Sequence, residues 1–208
     1  MPPHILLLVP VGAFSGLLAW AWTRLMIKKR GSDPLHVGFD RPSTIWLWPF
    51  GGALASLLIT WRLTNLKEAA FVGAYLFVLT AIAVTDWLIR KIPNEALLAL
   101  IIIRLVQILV LGRFAVLGTS LAGMIAGYFF FLLPTLLKMN IGGGDVKLAA
   151  VIGFCVGFVG MVQSVVIMGL QVGVMSIVLL LTHRGNLKTK IVLGPFLASG
   201  MFILMFLL

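Results

Sequence analysis

From residue 146 to residue 182 the chain runs for 37 residues with a single charged side chain, Lys147. A helix crosses the hydrocarbon of a bilayer in about 17–25 residues, so this run is too long for one crossing and too apolar for a soluble surface. Gly157 and Gly160 offer the point at which it divides. Shorter apolar runs fill most of the remaining sequence, and the whole chain is 61% hydrophobic but only 11% charged. Soluble domains carry about 25% charged residues. Inside lipid every backbone polar group must find its partner within the protein, which leaves helices or a closed barrel. No run alternates with the period of two that a barrel strand needs. The expected fold is all-α, a polytopic helical membrane protein in one membrane-embedded domain, residues 1–208.

Reading the runs in order predicts about eight spans: residues 5–22, 44–60, 69–85, 95–111, 116–137, 146–158, 161–182 and 191–208. Both termini then lie outside. Pro93 marks the end of the short polar loop after the third run, and Asn94 can cap the helix that follows. Pro134 is expected to kink the fifth span near its end. The basic residues test this topology. Twelve of the 16 Lys and Arg residues fall in loops on one side, among them Arg24, Lys28, Lys29, Arg30, Arg41, Arg90, Lys91, Lys138, Lys147, Arg184, Lys188 and Lys190. Arg62, Lys67 and Arg113 fall on the other, and Arg104 lies within a span. Inner loops carry such an excess of positive charge. The net charge of +10 is therefore assigned to membrane topology, and no nucleic-acid partner is expected. Arg104 is expected to make an interhelical polar contact, with Gln107 one turn on.

Chemistry must come from few groups. The only cysteine, Cys155, sits in an apolar run, so no internal disulfide and no cysteine metal site can form. His4, His36 and His183 are dispersed without ligand spacing; no metal and no cofactor are expected. There is no nucleophile elbow and no phosphate-binding loop. Of the six acidic residues, Asp33 and Asp40 read as solvated loop charges, and Glu68 and Glu95 lie in an outer turn and a first helical turn. Asp86 and Asp145 differ, because each abuts an apolar span and both fall on the inner side. Ionisable groups at membrane depth are unfavourable and are usually functional. Asp145 follows Gly142, Gly143 and Gly144 at a helix start, where the helix dipole favours a carboxylate. The glycines, in a loop over residues 138–144, are expected to bring unpaired backbone groups to an extended substrate. Two adjacent carboxylates share a proton and titrate as a unit, which suits hydrolysis of a peptide bond without a metal or a covalent intermediate.

These residues resemble a known family. Gly142-Gly143-Gly144-Asp145 is similar to the glycine-x-glycine-aspartate motif of intramembrane aspartyl proteases. Asp86 followed by Ile92-Pro93-Asn94 resembles the first aspartate motif of the type IV prepilin peptidases, and Lys147-Leu148-Ala149-Ala150 continues the second motif in their style. Gly194-Pro195-Phe196-Leu197-Ala198 resembles their last-helix segment. The resemblance covers the chain from about residue 44 onward. It implies an endopeptidase of the cell (inner) membrane that cuts the basic leader from prepilins or pseudopilins at the cytoplasmic face. Asp86 and Asp145 would be catalytic, and Gly142, Gly143, Gly144, Lys147 and Pro93 would contact substrate or shape the motifs. Many bacterial members carry a paired-cysteine, zinc-binding region between their first two spans and N-methylate the trimmed pilin. Here residues 26–43 hold no cysteine, which argues against methyltransferase activity. Thr85 before Asp86, and the absence of a Pro-Ala-Leu segment, separate the chain from presenilin-like proteases. The partners expected are the substrate and the bilayer, with the protein a monomer or weak dimer. The alternatives are a small transporter or proton pathway using the same carboxylates, or a non-catalytic assembly protein.

Overall fold

The structure is a computed structural model that describes residues 4–32, 34, 39–40, 42–63, 65–137, 142–182 and 192–207. The elements are α1 (His4–Lys29), α2 (Pro42–Arg62), α3 (Leu66–Ile89), α4 (Asn94–Leu111), a 3-10 turn (Phe114–Val116), α5 (Leu117–Leu136), α6 (Gly143–Leu181) and α7 (Gly194–Leu207). Among the described residues there is no strand. Helix lies over most of each expected run, and the runs at 146–158 and 161–182 share one element, α6. Among the described residues, five helices are long and apolar enough, by length and composition, to cross a membrane, and Gly194–Phe206 is a shorter apolar helix. Hydroxyls within these helices bond their own backbone: Thr23 to Ala19 O at 2.7 Å, Thr80 to Leu76 O at 2.7 Å and Thr85 to Ala81 O at 2.6 Å. That arrangement satisfies a donor where lipid offers no acceptor.

The chain divides into two compact units, Met1–Ala96 and Leu97–Leu208. In the first unit α1 packs on α2 through glycines. A Cβ on Gly16 would strike the carbonyl of Trp48, and one on Gly52 would strike that of Gly12. Without hydrophobic drive between helices in lipid, such close backbone approach supplies the packing. An aromatic and aliphatic cluster of Ala19, Ile27, Phe39 and Trp48 takes in Phe77, Val84, Leu88 and Ile89 from α3. Trp22 stacks on Phe77 at 5.4 Å between ring centroids, which also ties α1 to α3. The helix α3 starts on an Asn65 cap whose side chain accepts from the Lys67 N–H at 3.0 Å. Lys67 and Glu68, expected in the turn, therefore lie in the first turn of the helix.

In the second unit α5 and α6 share the closest backbone approach, Gly123 against Gly153. The helix α6 breaks where expected: Gly157 has φ 79 and ψ 178, outside helical geometry, and divides the element into two segments. At 1.5 Å per residue the segment from residue 143 to 156 is about 21 Å long, too short to cross the hydrocarbon, and the segment after Gly157 is about 36 Å, long enough. Pro134 sits inside α5, which ends two residues later at Leu136, where the Leu137 N–H donates to Leu133 O at 3.1 Å. Arg104 makes the interhelical contact expected of it: its guanidinium donates to Ser120 Oγ on α5 at 3.1 Å and to Gln107 Oε1 at 3.1 Å. The helix α7 is tied to α6 by Ser199 Oγ donating to Gln171 Oε1 at 2.8 Å.

Candidate active site

Asp86 belongs to the first unit. The loop expected to begin at Trp87 starts three residues later, because α3 continues to Ile89. The helix stops when Arg90 takes the left-handed conformation, φ 52 and ψ 40, and its N–H closes on Asp86 O at 2.8 Å. Asp86 therefore lies inside the last turn of α3 and is 6% exposed; Thr85 beside it is fully buried. Trp87, Arg90 and Lys91 are exposed. Residues 90–93 then form a short connection ending at buried Pro93. The Pro93 carbonyl accepts from the Ala96 N–H at 3.2 Å as α4 begins.

Asp145 belongs to the second unit. It occupies the first turn of α6, as expected, with Gly142 at the cap position in an extended conformation, φ −68 and ψ 138. The expected glycine loop is shorter than predicted. Gly143 and Gly144 are already helical, and residues 138–141 lie outside the described residues. No backbone conformation in this turn requires glycine by its φ. The demand at Gly142 is for space. The Asp145 carboxylate folds back over it, so that a Cβ at residue 142 would lie 3.1 Å from Asp145 Oδ2. Gly143 has open space around it. The Asp145 N–H also bonds Gly142 O at 2.9 Å. Asp145 is half-buried, while Lys147, two residues on, is exposed. The positive end of the α6 dipole faces the carboxylate and favours it.

Of the other acids, Asp40 departs from its sequence reading, and Glu95 lies in a first turn as expected but is also paired. Asp40 is not a solvated charge: its side chain is 8% exposed and accepts from Arg24 Nε at 2.8 Å. The same guanidinium lies 5.5 Å over the Trp20 ring, a cation–π geometry. Glu95 is more than a first-turn residue, for Lys29 Nζ lies 2.7 Å from its Oε1 and Arg30 NH2 lies 2.9 Å from its Oε2. The basic run at the end of α1 was the only sequence signal for either pairing. Asp33, His36 and His183 lie outside the described residues. Among the described residues no three His, Cys, Asp or Glu side chains gather as metal ligands would. Cys155 is buried and its thiol lies 3.7 Å from Leu100 O.

Long apolar helices with carboxylates set into their terminal turns define a multi-pass membrane protein. Residues 73–182, just over half of the chain, match the model of the type IV leader peptidase family, and the chain belongs to that family. The matched segment contains both Asp86 and Asp145. No curated protein and no solved structure matches the chain.

Proposed function

We propose that this peptidase is an intramembrane aspartyl endopeptidase that removes the basic leader from prepilins or pseudopilins at the cytoplasmic face of the cell membrane. Asp86 and Asp145 act as its catalytic pair. One carboxylate takes a proton from water as the water oxygen bonds to the scissile carbonyl carbon. The other, protonated, donates to the carbonyl oxygen. The C–N bond then breaks, the amine leaves with a proton, and the water is divided between the new acid and the new amine. Lys147, Gly142 and Gly144 line the approach of the substrate, and Pro93 shapes the connection after Asp86.

The observation that carries this reading is the family match over a segment containing two aspartates, each in the terminal turn of a long apolar helix. A transporter would place its acids near mid-membrane in broken helices. Here the break at Gly157 carries no acid, and Arg104, a charged group well inside α4, is engaged by Ser120 and Gln107. The cytoplasmic orientation rests on the excess of basic residues in the loops on the side of Asp86 and Asp145. The test is cleavage of a prepilin-like peptide, with a basic leader before an apolar helix, by the purified protein in lipid. Wild type should cut at the leader junction, and Asp86→Asn and Asp145→Asn should each abolish the cut. Cleavage that survives either substitution removes that residue from the mechanism.

A further inference from the structure

The ion pairs at Glu95 join two places that the reaction, as proposed above, would need held together. The connection of residues 90–93 leaves the turn of α3 that carries Asp86 and enters α4 at Asn94. It is anchored at its start, because Leu88 and Ile89 pack against the cluster containing Ile27 of α1. It is anchored again at its end, where Glu95 takes Lys29 and Arg30 from the last turn of α1 and the residue after it. Both anchors therefore fall on the same end of the same helix, within the first compact unit.

The two cations do not contribute alike. Lys29 is 70% exposed, and such a pair contributes little to stability in water. Arg30 is 17% exposed and its guanidinium is also held by the Met26 carbonyl at 3.4 Å. A guanidinium already fixed loses less freedom on binding a carboxylate, and charge-assisted hydrogen bonds are stronger than neutral ones. We propose that Glu95 is a positioning residue: clamped chiefly by Arg30, it fixes the connection after Asp86 and so sets where the Asp86 carboxylate stands. Its carboxylate is occupied on both oxygens by the protein's own cations, so it does not serve as a receptor for the basic leader.

This inference rests on the proposed catalytic role of Asp86, and the test separates the two. A spin label is placed on Lys91→Cys in a Cys155→Ser background, where it reports the motion of the connection without any substrate. Glu95→Gln and Arg30→Gln should each raise the mobility of the label, and Lys29→Gln should raise it less. With the prepilin-like peptide, Glu95→Gln should lower kcat by about tenfold, the scale expected when a reacting group shifts by a fraction of an ångström, and leave KM unchanged. Unchanged label mobility in Glu95→Gln and Arg30→Gln overturns the clamp. So does a rise in KM that depends on the leader's charge, which would make Glu95 a leader-binding acid. If wild type cleaves nothing but the label responds as described, the clamp stands and the peptidase mechanism proposed here fails.

Discussion

Two adjacent glycines of the same motif should respond oppositely to alanine. At Gly142 the new Cβ would sit 3.1 Å from Asp145 Oδ2. That is a few tenths of an ångström inside ordinary carbon–oxygen contact, so the carboxylate must turn away. A misplacement of about 1 Å at a reacting group can reduce rate by about 100-fold, which puts the expected loss for Gly142→Ala near tenfold in kcat/KM. The backbone is not strained, since φ at Gly142 is −68. Alanine caps a helix less well than glycine but restricts the unfolded chain, so stability should change by less than about 1 kcal/mol. At Gly143 a Cβ meets nothing within 4 Å and the residue is helical. Gly143→Ala should therefore leave cleavage intact and stabilise the protein by up to about 1 kcal/mol, the difference in helix propensity. The assay is steady-state cleavage of a prepilin-like peptide, paired with denaturant unfolding in mixed micelles. Equal activity of wild type and Gly142→Ala, or equal damage in the two variants, would refute the reasoning that space at residue 142 sets the carboxylate.

Two further outcomes follow from the second unit. Gly157 combines φ 79 with ψ 178, a region almost closed to side-chain-bearing residues, so Gly157→Ala should lose about 1–3 kcal/mol of stability in the same unfolding assay. Wild-type stability in that variant would mean the break in α6 is not held. Removing the hydroxyl in Ser120→Ala takes one acceptor from the Arg104 guanidinium and should lose about 1–3 kcal/mol with kcat unchanged. A large fall in kcat without loss of stability would instead draw Arg104 into the chemistry.

Much of the architecture was legible because lipid leaves the backbone so few choices. The apolar runs located the helices, Gly157 located the break in α6, and Asp145 was placed in a first turn by the glycines before it. The Arg104 contact was readable because a charge inside an apolar run must find a partner. What escaped notice depends on contacts between distant residues. Nothing local marks Ile89 as the end of α3, since that stop is made by Arg90 in a left-handed conformation that its residue type does not announce. The glycines at 143 and 144 discourage helix by propensity, yet α6 takes them into its first turn, where tertiary context overrides that preference. Asp40 looks like a solvated loop charge and Glu95 like a plain first-turn acid until α1 brings Arg24, Lys29 and Arg30 to them. The proposed pairing of Asp86 with Asp145 likewise joins residues far apart in the sequence.

That pairing is tested most directly by chemical crosslinking. Asp86→Cys and Asp145→Cys would be combined in a Cys155→Ser background, and the protein treated in its membrane with a short bifunctional thiol reagent. Each single cysteine would first be shown to react with the matching monofunctional reagent. An intramolecular crosslink in the double variant, suppressed by the prepilin-like peptide, is the predicted result. Two reactive cysteines that the short reagent never joins, with or without peptide, would contradict a shared catalytic proton between Asp86 and Asp145.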